Sequence, residues 1–198
     1  MLDFFATSFD LPILEWIQEN VANGFLDFLM PIITIFGDAG IFWIACAAVM
    51  LIFPKTRKTG LAMGVALVMG LLVCNICLKP LVARMRPLVY EVEILGNSAA
   101  DLLHSGQLLV GKPSDFSFPS GHTIASFEAA GVLMLNNKKL GIPALVLAIL
   151  IAFSRMYLFV HYPTDVLVSV VLGTLFAILA NYLVKKGADK LEARRAQA

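Results

Sequence analysis

Residues 60–78 read GLAMGVALVMGLLVCNICL and run directly into Lys79-Pro80. The run holds no charged side chain, and about 20 apolar residues are what a helix needs to cross the hydrocarbon of a bilayer. In lipid every backbone amide must be satisfied inside its own segment, so the stretch is expected to be a membrane-spanning helix. Working outward, further apolar runs occupy 24–36, 41–53, 123–135, 141–153 and 166–184. Gly37-Asp38-Ala39-Gly40 reads as a break between the first two. Residues 11–22 are amphipathic, with Leu11, Leu14, Ile17 and Val21 at helical spacing opposite Glu15, Gln18 and Glu19. Only 88–118 is long, polar and irregular.

Composition agrees. The 198 residues are 59% hydrophobic and 15% charged, with a mean hydropathy of +0.83. Soluble domains carry roughly a quarter charged residues, so lipid is the environment that can hide this much apolar surface. The expected fold is an all-α integral membrane bundle, one domain over 1–198. It would have an amphipathic segment 1–22, an extracytoplasmic loop 88–118 and a basic cytoplasmic tail 185–198. Six crossings are the reading taken. The alternative keeps 11–22 as an interfacial helix and lets 25–53 cross once. The first basic residue is Lys55, so no basic leader precedes the first apolar run and no secretory signal is expected. Net charge is +1, which offers nucleic acid no general attraction, and none is expected as a partner. Cys46, Cys74 and Cys77 all lie within apolar runs and read as small packing residues, with no disulfide or metal implied.

Basic residues set the orientation. Lys55, Arg57 and Lys58, then Lys138 and Lys139, then Lys185 and Lys186 mark one side of the bundle. The positive-inside rule makes that side cytoplasmic. The opposite helix ends, around 79–86, 119–122 and 155–165, then converge on the outer face of the plasma membrane. Polar residues concentrate at those ends: Lys79, six residues, Arg86-Pro87; Pro119-Ser120-Gly121-His122; Ser154-Arg155, five residues, His161, three residues, Asp165.

That set has a definite chemistry. Lys79, Arg86 and Arg155 supply a concentrated positive site, and guanidinium forks match phosphate oxygens. Ser120 is a natural N-cap and Gly121 lets a helix N-terminus approach an anion closely. Pro163 suits the first turn of a helix, which places Asp165 within reach of His161. A carboxylate on one imidazole nitrogen frees the other as a nucleophile, and a phosphohistidine follows. His122 is left to protonate the departing oxygen and later to activate water. No metal and no cofactor is called for.

The three clusters, in order and with this internal spacing, resemble the signature of the type 2 phosphatidic acid phosphatase family, which includes lipid phosphate phosphatases, glucose-6-phosphatase and the vanadium haloperoxidases. The resemblance covers residues 79–165 without a departure. It implies that His161 attacks phosphorus, that Asp165 orients it and that His122 acts as acid. It also implies that Lys79, Arg86, Ser120, Gly121 and Arg155 hold the phosphate. A small chain of this kind resembles the bacterial phosphatidylglycerophosphate and undecaprenyl diphosphate phosphatases. The expected substrate is a lipid phosphate or diphosphate entering from the bilayer, and the oligomeric state is left open. A different reading is a membrane transporter that holds an anion on the same cations, although no internal repeat supports it. Glu128 and Asn75, inside apolar helices, are expected to make structural hydrogen bonds, and His104 in the long loop is expected to have no role.

Overall fold

The computed structural model describes residues 6–196, with side chains as far as residue 194. The first five residues of the acidic N-terminal segment and the last two of the basic tail lie outside the described residues. Helices make up the described chain, joined by turns and one irregular loop. A wide turn, Ala6–Asp10, leads into α1 (Leu11–Asn20). Then come α2 (Gly24–Ile35) and α3 (Ile41–Ile52). Next is α4 (Arg57–Gly70), prolonged by a π-helical stretch Leu71–Leu78 and a turn Lys79–Val82. Two four-residue helices, α5 (Pro87–Tyr90) and α6 (Ala99–Leu102), interrupt the loop. The chain closes with α7 (Gly121–Asn136), α8 (Lys138–Tyr157) and α9 (Pro163–Ala196).

Among the described residues, four stretches are long and apolar enough to cross a membrane: Gly24–Ile52, Arg57–Leu95, Lys138–Tyr157 and Pro163–Arg194. The protein is therefore a multi-pass membrane protein. Six crossings are not confirmed, and the reason lies in residues 24–52. Ala39 and Gly40 adopt positive φ values of 47° and 66°, which interrupts the helix. The chain nevertheless keeps its direction: Asp38 meets His122, and Trp43, five residues on, donates to Ser126 Oγ at 3.0 Å, four residues further along α7. Each half has 12 residues, about 18 Å of helix, too short for a core of about 30 Å. α2 and α3 together make one broken passage. The amphipathic helix α1 stays at the end where that passage begins, with Gln18 donating to the Tyr157 carbonyl at 2.7 Å.

α7 is the centre of the bundle. It packs against α8 and α9 and also contacts α4. Ala129, Ala130 and Val132 on it are fully enclosed. At 16 residues it is only about 24 Å long, and its neighbours shelter it from lipid. Small residues allow the close approach: a Cβ on Gly173 of α9 would stand 2.8 Å from the Ile124 carbonyl, and one on Gly131 would stand 2.7 Å from the Ala177 Cβ. Outward faces of the other helices expose Ile52, Ile149, Leu167 and Ile178. In the absence of a hydrophobic drive between helices in lipid, small residues at contacts and large apolar ones outside are the expected division.

Candidate active site

The polar ends of α4, α7 and α8 and the start of α9 meet at one end of the bundle. Lys79, Arg86, Gly121, His122, Arg155 and His161 line a single cavity of about 960 Å3. These are six of the eight residues expected from the sequence. Ser120 and Asp165 stand behind its wall, each fully buried.

His161 follows the turn that ends α8, where Phe159 takes a positive φ of 57°. Its ring is almost wholly enclosed, and Nε2 lies 3.2 Å from Arg86 Nη1 at the cavity. Nδ1 points to Asp165 Oδ2 at 3.6 Å, an ion-pair distance rather than a hydrogen bond, and has no closer partner among the described residues. Burial, and then the Arg86 and Arg155 charges, push the His161 imidazole well below its ordinary value, while Asp165 opposes them. His161 is therefore neutral, the form with a lone pair to offer.

Asp165 is fixed from four directions. It accepts from Arg84 Nη1 at 2.6 Å, from the Ser117 hydroxyl and from the Tyr162 amide at 3.2 Å, and it faces His161. Arg84 is a residue the sequence reading passed over. Its second nitrogen donates to Asp10 at 2.6 Å, and its guanidinium lies 3.8 Å from the centre of the Tyr162 ring. Asp10 in turn accepts from the Thr164 amide at 2.9 Å and hydroxyl at 2.7 Å. A sequence cue existed: Arg84-Met85-Arg86 places a second cation two residues before the one that was chosen.

Three further carboxylate and hydroxyl partners were also missed. Asp38, in the break between α2 and α3, stands 2.7 Å from His122 Nε2. Thr34 Oγ1, at the end of α2, accepts from Arg155 Nη1 at 2.5 Å. Asp115, in the long loop, pairs with Lys79 and receives Arg86 Nη2 at 2.5 Å, while its carbonyl accepts from Arg86 Nε at 2.9 Å. Burial works against the Asp115 charge, yet hydrogen bonds from Lys79 and Arg86 and their charges hold it at about 2. Its carboxylate sits where an anion finds two cations. The loop's role was left undecided by the sequence. It brings Asp115 to the cavity and Ser117 to Asp165.

Ser120 occupies the N-cap position of α7 but makes no capping bond with its side chain. Its hydroxyl accepts from Thr123 Oγ1 at 3.0 Å, and its amide donates to Ser169 Oγ at 2.9 Å. The hydroxyl is engaged by a local partner, Thr123, instead of by a backbone N–H of the first turn. Gly121 lies against Asn75 of α4: a Cβ there would stand 3.1 Å from Asn75 Oδ1. His104 lies 3.9 Å from Asp27, away from the cavity lining.

Fold and site together define a membrane-embedded helical protein with two histidines and three cationic side chains lining one cavity. Residues 59–188 match the model of the PAP2 superfamily, and the chain belongs to that family. It is 31% identical over 149 residues to a protein of Sulfolobus acidocaldarius named undecaprenyl-diphosphatase, covering 75% of this chain and 66% of that relative. It is 32% identical over 193 residues to phosphatidylglycerophosphatase B of Bacillus subtilis, covering 89% of this chain and 78% of that one. The crystal structure of a transmembrane PAP2-type phosphatidylglycerolphosphate phosphatase from Bacillus subtilis superposes with a TM-score of 0.69 at 28% identity, covering 91% of this chain and 86% of that one. These relatives are named as phosphatases of lipid phosphates and lipid diphosphates, and the anion-transporter alternative is not supported.

Proposed function

We propose that this protein is a metal-independent lipid phosphate phosphatase working through a phosphohistidine. The observation that carries the reading is the shared cavity, in which His161, His122 and the cations of Lys79, Arg86 and Arg155 face one space. The phosphate is held by those cations, with Ser120 and Gly121 presenting the start of α7 to it. His161 Nε2 attacks phosphorus, forming an N–P bond as the P–O bond to the lipid breaks. His122 gives its proton to the leaving lipid oxygen. Water then attacks phosphorus, His122 takes a proton from it, and the N–P bond breaks to release inorganic phosphate. Asp165 positions His161 and balances the charge it gains. The distance of 3.6 Å between them is of the kind that tightens once a substrate binds. The guanidinium and ammonium groups stabilise the equatorial oxygens as phosphorus passes through its transition state.

Substrate lipids of two classes fit the relatives: a polyprenyl diphosphate such as undecaprenyl diphosphate, and phosphatidylglycerophosphate. The whole chain, 1–198, acts as one membrane domain that takes its lipid laterally from the bilayer. The site faces the extracytoplasmic side of the plasma membrane. This orientation is supported by the basic residues of the opposite end, where Lys58 at the start of α4 pairs with Glu192 near the end of α9 at 2.9 Å.

The test is phosphate release in EDTA from undecaprenyl diphosphate, phosphatidylglycerophosphate and phosphatidate, by wild type and His161→Ala. Release that vanishes in the variant is the expected result. Folded wild-type protein that frees no phosphate from any of them overturns the reading.

A further inference from the structure

Beneath the residues that face phosphate, the cavity continues into the bundle between α3, α4 and α7. Its deeper wall is apolar, with Ile44, Ala47, Leu67, Val68 and Ile124. One side chain breaks that pattern. Glu128 of α7 lines the cavity, is 1% exposed, and its Oε1 has no hydrogen-bond partner among the described residues. The sequence suggested a structural hydrogen bond for it; the Gly70 backbone is the group that meets its carboxyl, and Oε1 is left without a partner. Gly70 of α4 makes the space, since any Cβ at that position would collide with both carboxyl oxygens. A carboxyl enclosed by hydrocarbon is costly unless a partner meets it, so a chain that keeps one here gains from what enters the cavity.

Depth identifies the partner. Glu128 lies six residues below His122 on α7, about 9 Å along the axis, and both side chains line the one cavity. Its carboxyl therefore stands roughly one glycerol unit below the phosphate. In a diacylglycerol phosphate the ester carbonyl carbon is five bonds from phosphorus, a reach of roughly 6 Å. In a polyprenyl diphosphate attacked at its terminal phosphorus, the inner phosphate lies above that depth, two bonds from the attacked atom, and the chain five bonds down is alkenyl carbon with no carbonyl to accept the bond.

We propose that Glu128 is a specificity-determining residue that donates a hydrogen bond from its acid form to an ester carbonyl of a diacylglycerol-type lipid phosphate seated in this cavity. The proposal rests on the phosphatase reading and narrows it: glycerolipid phosphates are favoured over polyprenyl diphosphates at equal depth. Asn75, which lines the same cavity, offers a second polar group on the α4 side.

The decisive probe is a pair of lipids that differ only at the carbonyl: dioleoyl phosphatidate and its diether analogue, in mixed micelles with the full-length protein. Wild type should prefer the diester by roughly tenfold in kcat/KM, the worth of one hydrogen bond. Glu128→Leu should remove that preference while leaving para-nitrophenyl phosphate hydrolysis unchanged. Glu128→Gln, whose amide can still donate, should keep it. Equal rates on diester and diether by wild type would overturn the proposal. So would a Glu128→Leu variant that slows diester, diether and para-nitrophenyl phosphate by one common factor, which would mark a structural role. If the leucine variant does not fold, the wild-type and glutamine ratios decide alone. Failure of the phosphatase reading looks different: no phosphate from any substrate, or release that persists in His161→Ala.

Discussion

Replacing Arg84 with methionine keeps the length of the side chain and deletes its charge. In the folded protein that guanidinium, 6% exposed, bridges Asp10 and Asp165, each fully buried and each at 2.6 Å. Removing one partner of a buried ion pair generally costs about 3–5 kcal/mol, because the survivor is left charged in a poor solvent. Here two survivors remain, but neither is stripped bare. Asp10 keeps the amide and hydroxyl of Thr164, and Asp165 keeps Ser117 and the Tyr162 amide. The lower end of the range is therefore expected, about 3 kcal/mol. For a chain of this size that lowers Tm by about 6–12 °C. Thermal unfolding in detergent, followed by the fluorescence of Trp16 and Trp43, measures it. Adding Asp10→Asn should restore about half of the loss, since one uncompensated carboxylate is then gone. Catalysis should suffer as well, because Asp165 positions the nucleophile: kcat is expected to fall more than KM rises. An Arg84→Met protein within about 1 kcal/mol of wild type, and with an unchanged kcat, would refute the view that this bridge fixes Asp165.

Other perturbations read other parts of the site. Asp115→Asn removes an anion from Lys79 and Arg86, and with each half-exposed pair worth about 0.5–1 kcal/mol, inorganic phosphate should inhibit about 5- to 30-fold more strongly; an unchanged inhibition constant would mean that Asp115 leaves the phosphate site alone. Asp38→Asn takes the carboxylate from His122 and should lower kcat about tenfold with KM held, and identical kinetics would show that His122 needs no partner on α2–α3. His161 is depressed in the folded state, so its contribution to stability is complete above about pH 6.5 and is lost as pH falls, because the unfolded chain takes up a proton the buried ring refuses. Stability should drop by up to about 1.4 kcal/mol per pH unit below that point, and His161→Asn should flatten the slope.

Much of this protein is legible in one dimension because lipid leaves few choices. Uncharged runs such as 60–78 must be helical, and the three polar clusters must stand at helix ends, since their charges cannot rest in hydrocarbon. With the ends assigned by alternation, Lys79, Arg86, His122, Arg155 and His161 were bound to meet, and they share one cavity. The break at Gly37–Gly40 was legible too. Its consequence was not, because a break tells nothing about whether the chain reverses. α7, running beside it from His122 to Ser126, shows that it does not, and six crossings are left unconfirmed.

What the sequence by itself determined is therefore the helical membrane class and the chemical inventory at one end of the bundle. Periodicity, charge placement and local spacing carry that information within a few residues of each position. Only the tertiary structure decided the partners. Asp10 reaches Asp165 through Arg84 across more than 150 residues, Asp38 finds His122 across 84, and Glu128 is set opposite Gly70. A buried polar atom takes whichever partner the packing of distant helices delivers, and that packing is settled by small residues at crossings such as Gly131 and Gly173. Nothing in the neighbouring letters records which helix will arrive.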